Sequence, residues 1–457
     1  MNMALSDNAS ADQLTEQKIR GFVETLLGGT VVRTDRLPRW RPAWNMDLQR
    51  GDEILKLHIR GDRGGDVSPF PDDLRREANI LALIGQQGVP APHIYGFCED
   101  PLAIVMQAVP GTRDLSSARD DAERLSLAKQ YIDAMVAMHQ LPLDRFVAKG
   151  IELPEGAEAI SLAGLNAYYP LYARNKTRPQ PLLEFALNWL RRNVPQHRTK
   201  PSLVQYDSGQ YLFENGKLTT LYDFEFAMIG DPLADLASAR MRDNYEPLGG
   251  PFKALYEYYQ QVSGEPPEPD VVRFHTLLFS TVSTMQFSST VATPKPGDPH
   301  DTYIEFDIAL RRVVVHALAE AMGVAIETPA TPVKPQGPNA ELLSMLSDAV
   351  EQVEVNDPFQ KTKLNAVRKI VEYLSKADAM MLELQAQDMR EAEALLGQRF
   401  DHHQEMEAAL ESFVTAANAE HDLPLLALFA SQIERRVQVF GGTAIGASAS
   451  HIDLPPL

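Results

Sequence analysis

Apolar and polar residues alternate in the first three of five short runs near the start of the chain, as in strands that bury one face, and the other two runs are also interpreted as strands. The runs are GGTVVRTDRLP, AWNMDLQRG, DEILKLHIRGD, VPAPHIYGFCED and PLAIVMQAVPG. Two segments of the same region, residues 17–28 and 69–88, instead have apolar residues at helical spacing. Residues 17–108 are therefore predicted to form a lobe with an antiparallel sheet.

From Asp120 onwards the apolar residues recur mainly at the spacing of helices. One exception is the segment 203–226, LVQYDSGQYLFENGKLTTLYDFEF, which is interpreted as a β-hairpin with flanking loops. Residues 109–326 are predicted to form a mainly helical lobe. Residues 327–338 contain four prolines and a glycine, which is typical of a linker. Helical spacing resumes in 339–445, predicted to be an all-α domain.

Composition narrows the function classes. The 62 acidic residues exceed the 43 lysines and arginines, giving a net charge of -19. This excludes a general nucleic-acid binder, because a phosphate backbone requires a basic face. No apolar run approaches the length of a membrane span, and the first residues lack the pattern of a signal peptide. With a single cysteine, Cys98, the chain is expected to be cytoplasmic and not to work at a membrane.

Several side chains of the types that phosphoryl transfer requires occur in a workable order. Asp207 and Asp223 lie sixteen residues apart on the two sides of the predicted hairpin, which would return one towards the other. Gln210 and Glu225 lie close behind them and offer further oxygen ligands, which Mg²⁺ prefers.

A strand lysine and a helix glutamate are the second pair of candidates. Lys56 lies in the predicted strand ILKLH, and Glu77 lies in the following helix. An ion pair between a strand lysine and a helix glutamate orients a lysine that binds nucleotide phosphates.

Residues 19–322 resemble the aminoglycoside phosphotransferase and choline-kinase-like family, which has a protein-kinase-like fold. Three segments carry the resemblance: LYDFEFAMIGDPLADLA, WLRRNVP and VPAPHIYGFCEDP. The resemblance implies an α+β, two-lobed fold with a strand-rich N-terminal lobe and a helical C-terminal lobe. It also implies ATP or GTP as the phosphate donor, Mg²⁺ as the cofactor and a small molecule bearing a hydroxyl as the substrate.

The family's functional residues can be assigned position by position. Asp207 matches the catalytic aspartate and Asp223 the main Mg²⁺ ligand. Lys56 matches the phosphate-binding cation and Glu77 its partner. Gln210 falls where the family has a second metal ligand, normally asparagine.

The catalytic loop departs from the family pattern. Gln205-Tyr206-Asp207 replaces the usual H-G-D, and Leu212 stands where asparagine is expected five residues later. Gln205 is expected to support the loop by hydrogen bonds, as the family's histidine does. Asp235 either supports the loop or completes the first turn of its own helix.

An aromatic and basic stretch precedes the catalytic loop. It is interpreted either as a substrate wall for an anionic or acylated substrate or as a helix with a solvated basic end. Its candidate residues are Tyr169, Tyr172, Arg174 and Lys176.

The segment 339–445 resembles a small helical domain that accompanies kinase-like proteins of acyl-CoA catabolism. This resemblance suggests a hydroxyacyl-CoA as one acceptor. The helical domain is expected either to form a homodimer or to close over the active site.

Three functions follow from the sequence. The first is an ATP- and Mg²⁺-dependent phosphotransferase that acts on the hydroxyl of a small metabolite. The second is a non-catalytic, nucleotide-binding pseudokinase scaffold, suggested by the altered QYD loop. The third is an aminoglycoside phosphotransferase, against which the basic stretch argues because aminoglycosides are polycations.

Overall fold

The structure is a computed structural model that describes residues 2–38, 41–64, 68–295, 297–329, 334, 336–451 and 453–457, with side chains from residue 13 except those of residues 450 and 451. Part of the predicted linker, residues 330–333 and 335, lies outside the described residues. The chain divides into two compact units. Unit 1 comprises Met1–Leu153, Ser202–Ile229 and Leu248–Gly250, and unit 2 comprises Pro154–Pro201, Gly230–Pro247 and Pro251–Leu457.

Unit 1 contains the predicted antiparallel sheet. Its five strands are β1 (Thr30–Arg36), β2 (Ala43–Arg50), β3 (Glu53–Gly61), β4 (Ile94–Glu99) and β5 (Leu102–Gln107). Their order is β1-β2-β3-β5-β4, and each described pairing is antiparallel. Each of the five runs of the sequence therefore supplies one strand, as predicted.

The core of unit 1 lies between one face of this sheet and α1 (Asn2–Leu27). Ile19 and Val23 of α1 pack with Trp44, Leu57 and Ile59 of the strands, all of them buried. Because strand residues alternate between faces, the opposite face of β3 carries its polar positions. Burial of the apolar face thus determines where the charged side chains of β3 point.

Three further helices and four short strands complete unit 1: α2 (Asp73–Gln86), α3 (Asp121–His139), α4 (Asp144–Val147), β6 (Ser202–Val204), β7 (Tyr211–Glu214), β8 (Lys217–Leu221) and β9 (Met228–Gly230). A short 3₁₀ helix spans Leu115–Ser117. Strands β7 and β8 form the predicted hairpin. Asn215 and Gly216 form its turn, both with positive φ, which matches the right-handed twist of paired strands.

Unit 2 is helical. Its helices are α5 (Gly156–Ser161), α6 (Ala163–Asn175), α7 (Pro181–Arg192), α8 (Leu233–Arg242), α9 (Phe252–Ser263), α10 (Pro269–Ala292), α11 (His300–Met322), α12 (Ala340–Glu351), α13 (Pro358–Leu396), α14 (His403–Ala416) and α15 (Asp422–Phe440), with 3₁₀ turns at Ala419–His421 and Ser448–His451. The helices beyond residue 339 pack on earlier ones within this unit: α14 lies against α7 and α15 against α11.

The architecture is the mixed α+β class that the sequence predicts, with a sheet near the N-terminus and helices towards the C-terminus. Within the part of the chain that the structure describes, every helix is too short or too polar to cross a membrane.

Candidate active site

Arg60, at the end of β3, joins two carboxylates from distant parts of unit 1. Its Nε donates a hydrogen bond to Glu77 Oε2 at 2.8 Å, and its Nη2 donates to Asp223 Oδ1 at 2.7 Å. The three side chains come from a strand, from helix α2 and from the loop after β8. One guanidinium therefore fixes the relative positions of three separate segments.

Glu77 strengthens this junction through its second oxygen. Its Oε1 accepts a hydrogen bond from the backbone N–H of Phe224 at 3.1 Å, one residue beyond Asp223. The Glu77 side chain is only 1% exposed, whereas that of Asp223 is 26% exposed. The buried glutamate thus holds the more accessible aspartate in place, together with Arg60.

The structure corrects the cation predicted to pair with Glu77. Lys56 lies four residues earlier on the same face of β3, where it is exposed opposite Asp47 of β2. No contact between Lys56 and Glu77 occurs among the described residues, and Arg60 takes that position instead. The alternating pattern places Lys56, His58 and Arg60 on one face, so it could not decide how far along β3 the helix glutamate would meet the strand.

Burial and charge shift the protonation equilibria at this junction. Burial raises the pKa of Glu77 above its ordinary value, and the neighbouring Arg60 offsets only part of that rise. Burial lowers the pKa of Arg60, but the facing carboxylates outweigh that effect and raise it overall. Arg60 is therefore a permanent cation in this site.

Two positions with positive φ mark the loops that carry the predicted aspartates. Tyr206, directly before Asp207, has φ 68°, and Asp223 has φ 63°. A bulky residue such as tyrosine rarely adopts this conformation, which costs on the order of 1–3 kcal/mol. Such backbone strain is concentrated at functional sites, so both loops are candidates for chemistry.

Two glutamines connect the Asp207 loop (residues 205–210) to the residue before Asp223. Gln205 donates from Nε2 to the carbonyl of Tyr222 at 2.7 Å, and the Tyr222 N–H donates to the carbonyl of Gln210 at 3.3 Å. The side chain of Gln205 is completely buried. These bonds, with the β7–β8 hairpin, bring the two predicted aspartate loops together.

Tyr131 of α3 forms hydrogen bonds to the Asp207 loop. Its hydroxyl donates to Gln205 Oε1 at 3.1 Å and accepts the N–H of Gly209 at 2.6 Å, and its ring stacks on Tyr211 with centroids 5.4 Å apart. Tyr131 gave no signal in the sequence analysis because it resembles an ordinary core residue of an amphipathic helix.

Gln210 lies against Asp207 itself. Its Nε2 donates to Asp207 Oδ2 at 3.0 Å and to the Asp207 carbonyl at 3.1 Å. An amide that donates through nitrogen leaves its carbonyl oxygen as the group able to bind a cation. The two predicted site residues are thus neighbours.

Glu225, predicted as a metal ligand, is instead surrounded by arginines. Its Oε2 accepts a hydrogen bond from Arg41 and lies 3.5 Å from Arg60 Nη2 and 3.6 Å from Arg63 Nη1. Mg²⁺ would be a fourth cation beside this carboxylate and would be repelled by the three guanidinium groups, so Glu225 is a poor metal ligand. Sequence reasoning missed Arg41 and Arg63, which lie in loops without a motif of their own.

The oxygen donors of this site fit the requirements of a magnesium ion. Among the described residues, no three histidine, cysteine or acidic side chains form a cluster that could hold a metal alone. Mg²⁺ does not require one, since it keeps several waters and is bound by one or two carboxylates together with substrate phosphates. Asp223, which is partly exposed, and the amide of Gln210 fit that description.

The predicted substrate wall lies in unit 2 and is engaged in packing. The ammonium of Lys176 lies 2.8 Å from both Glu184 and Glu411, and the hydroxyl of Tyr172 donates to Glu184 at 3.1 Å. Arg191 lies over the ring of Tyr169 at 4.9 Å. Burial raises the pKa of the Tyr172 phenol.

Lys176 and Tyr172 therefore connect α6, α7 and α14. The ammonium of Lys176 thus pairs with acidic side chains of the same unit, and the substrate role of this stretch stays a prediction. Arg174 is exposed near the end of α6.

Asp235, the other predicted supporting residue, lies in unit 2. It is completely buried in the first turn of α8, where its carbonyl accepts a hydrogen bond from Ser238 at 3.1 Å. Its predicted support of the Asp207 loop stays a prediction.

Comparisons with known proteins agree with the resemblance seen in the sequence. The model of the phosphotransferase enzyme family matches residues 47–275, half of the chain. A solved structure from Ralstonia eutropha JMP134, proposed to be an aminoglycoside phosphotransferase, has a TM-score of 0.54 at 15% identity, covering 68% of this chain and 99% of that one. It supports the predicted two-lobed fold.

Two further similar proteins were also found. The macrolide 2′-phosphotransferase of Brachybacterium faecium has a TM-score of 0.44 at 18% identity, covering 62% of this chain and 94% of that one. Acyl-CoA dehydrogenase family member 10 of Mus musculus is 24% identical over 198 residues, 40% of this chain. That match spans only 18% of the mouse protein's length.

Proposed function

The chain belongs to the phosphotransferase enzyme family, and on that premise we propose that it transfers the γ-phosphate of ATP to the hydroxyl of a small metabolite. The observation that carries this proposal is the junction at Arg60. A cation oriented by the buried Glu77 lies against Asp223, and Asp223 is tied through Tyr222 to the Asp207 loop. Phosphoryl transfer requires this combination of positioning and charge neutralisation.

Each residue of the site has a proposed task. Arg60, fixed by Glu77, binds phosphate oxygens of the donor through its planar fork of N–H groups. Asp223 and the amide of Gln210 would hold Mg²⁺, which neutralises charge on the phosphates. Lys56 has no part in this proposal, because Arg60 occupies the position expected of it.

Asp207 is proposed to act on the acceptor. Its carboxylate accepts the proton of the acceptor hydroxyl while the hydroxyl oxygen forms a bond to the γ-phosphorus. The bond from that phosphorus to the bridging oxygen breaks, and ADP leaves. Gln210 holds the carboxylate of Asp207 by a 3.0 Å hydrogen bond, which keeps it oriented for this transfer.

The acceptor class is proposed from two similarities. The resemblance of the C-terminal segment and the name of the mouse relative both point to acyl-CoA chemistry. A hydroxyacyl-CoA is therefore the first acceptor to test, followed by aminoglycosides. GTP as an alternative donor and a cytoplasmic location stay predictions.

The test is a turnover assay on the purified full-length protein. ADP release is measured with Mg²⁺-ATP and a panel of hydroxyacyl-CoA esters, small alcohols and aminoglycosides, for the wild type, Asp207→Asn and the control Asp52→Asn. Asp52 is an exposed turn residue between β2 and β3. We expect loss of at least 100-fold in kcat for Asp207→Asn, with ATP binding retained, and no change for Asp52→Asn. ATP binding without phosphate transfer to any acceptor would favour the pseudokinase scaffold, and full activity of Asp207→Asn would refute the assignment.

Homodimer formation through the C-terminal helices is a separate part of the proposal. Helix α12 packs on α13 but buries none of its own residues, and Leu342, Met345 and Leu346 are exposed on it. An isolated helix of this length is only marginally stable in water, so packing against α12–α13 of a second copy would bury these exposed side chains. Light scattering should give the mass of a dimer for the wild type and of a monomer for Leu342→Glu; a monomeric wild type at high concentration would refute this part.

A further inference from the structure

Three arginines from three segments of unit 1 surround one carboxylate oxygen. Arg41 lies between β1 and β2, Arg60 is the last residue but one of β3, and Arg63 lies just beyond β3. All three guanidinium groups lie within 4 Å of Glu225 Oε2. This set is named the Glu225 cluster: Arg41, Arg60, Arg63 and Glu225.

The cluster concentrates positive charge in a nearly dry place. The side chains of Arg41 and Arg63 are 6% and 11% exposed, and that of Glu225 is 11% exposed. Burial and the nearby Arg60 both lower the pKa of Arg41, which reflects the cost of holding like charges together. Glu225 is the only carboxylate within the Glu225 cluster, and of its three arginines Arg60 also pairs with Glu77 and Asp223 outside it.

A phosphate group suits these arginines better than a carboxylate does. Guanidinium groups bind phosphate through two parallel hydrogen bonds, and a phosphate offers more oxygens and more charge than Glu225. The cluster also touches the proposed catalytic junction, because Arg60 belongs to both. The side chain of Asp223, 26% exposed, gives that junction a face open to solvent.

We propose that Arg41 and Arg63, together with Arg60, bind the polyphosphate of the donor nucleotide, and that Glu225 occupies this site in its place until the donor arrives. The inference rests on the proposed function, since it takes the donor to be a nucleoside triphosphate. Binding then requires Glu225 to leave the three arginines. Glu225 is thus a competitor of the phosphates rather than a ligand of the metal.

Glu225→Gln is the discriminating variant because it keeps the shape of the side chain and removes its charge. The matched control is Glu53→Gln, which removes one acidic charge from the exposed start of β3, where Glu53 pairs only with the surface residue Arg50 in the described contacts. Affinity is measured by calorimetry for two probes, Mg²⁺-ATP and inorganic tripolyphosphate without metal. We expect both probes to bind at least tenfold more tightly to Glu225→Gln than to the wild type, with no change for Glu53→Gln. Unchanged or weaker binding to Glu225→Gln would overturn the inference, because a residue that only holds the arginines in place would weaken the site when neutralised.

A second variant keeps the inference testable if Glu225→Gln does not fold. Arg63→Gln should weaken tripolyphosphate binding at least tenfold, while Arg50→Gln, an exposed control, should leave it unchanged. Equal effects of the two substitutions would overturn the inference.

The two probes separate this inference from the proposed function. Tight tripolyphosphate binding to Glu225→Gln without phosphate transfer to any acceptor would leave the cluster as a polyphosphate site and refute the phosphotransferase. Transfer activity with unaltered tripolyphosphate binding in Glu225→Gln would overturn the inference about the Glu225 cluster and leave the proposed phosphotransferase function intact.

Discussion

Replacing Arg60 by methionine is the perturbation that the structure predicts most sharply. Methionine keeps most of the apolar stem but removes the guanidinium that pairs with Glu77 at 2.8 Å and with Asp223 at 2.7 Å. The side chain of Arg60 is 13% exposed and that of Glu77 is 1% exposed, so water cannot replace the lost partner of Glu77.

The size of the effect follows from the charge that is left behind. Breaking a buried ion pair by removing one partner costs about 3–5 kcal/mol, because the other charge stays buried without compensation. A Coulomb estimate agrees: two unit charges about 4 Å apart interact by about 4 kcal/mol at an effective dielectric constant of about 20. We expect Arg60→Met to lower the free energy of unfolding of unit 1 by about 3–5 kcal/mol at neutral pH.

The loss of stability should also depend on pH. Burial already raises the pKa of Glu77 in the folded protein, and removing Arg60 takes away the main effect that opposes this rise. An acid whose folded-state pKa is raised destabilises the fold as the pH rises from its unfolded value, about 4.3, through the folded value. The deficit of Arg60→Met should therefore be smaller near pH 5 than near pH 8, with a slope of at most about 1.4 kcal/mol per pH unit.

The assay is urea unfolding followed by tryptophan fluorescence at several pH values. A Trp189→Phe background removes the tryptophan of unit 2, so the two remaining tryptophans, Trp40 and the buried Trp44, report on unit 1. The control is Lys56→Met on the same face of β3, where an exposed side chain should change stability by no more than about 0.5 kcal/mol. Equal effects of the two substitutions, or a deficit that does not grow with pH, would refute the account of the Arg60 junction.

Three further predictions concern other parts of the chain. Burial raises the pKa of the buried Asp388, but arginine side chains outweigh it and lower this pKa to about 2. The contribution of Asp388 to stability should therefore be complete above about pH 4 and lost as the pH falls through about 2. Acid unfolding curves should show a stability difference between wild type and Asp388→Asn of at least about 2 kcal/mol at neutral pH, which shrinks over that pH window. Tyr131→Phe removes the acceptor of the Gly209 N–H, which should cost about 1–3 kcal/mol in urea unfolding and lower kcat; unchanged kcat would show that the loop does not need this support. Gly249→Ala should lower stability by about 1–3 kcal/mol, since φ is +118° and an added Cβ would lie 2.4 Å from the carbonyl oxygen of Arg124; a melting temperature equal to the wild type's would contradict this.

Strand β3 of unit 1 could be predicted because its apolar residues form one buried face. Residues such as Leu57 and Ile59 alternate with polar ones, and burial of the apolar set fixes the face on which the charges lie. Periodicity carries no information about distance along the strand. For that reason the sequence indicated a β3 cation opposite Glu77 but chose Lys56, which lies four residues, or two repeats of the alternation, before Arg60.

Asp207 and Asp223 could be singled out from the sequence because they flank a hairpin with a clear turn sequence. The Glu225 cluster could not, because Arg41 and Arg63 lie in loops, where no periodic pattern relates a residue to its neighbours in space. Tyr131 and Gln205 meet only through the packing of α3 on the strands after it. Contacts of that kind depend on tertiary structure, which local spacing does not encode.

Binding of Mg²⁺-ATP to the wild type, Asp223→Asn and Asp52→Asn, followed as a shift in melting temperature, tests the central claim most directly. A ligand that binds only the folded state stabilises it by about 2.7 kcal/mol at 100 times its dissociation constant. We predict a Mg²⁺-dependent rise for the wild type and for Asp52→Asn, and its loss for Asp223→Asn. An equal rise in all three proteins, or none in the wild type at millimolar nucleotide, would contradict the assignment of this site to nucleotide and metal.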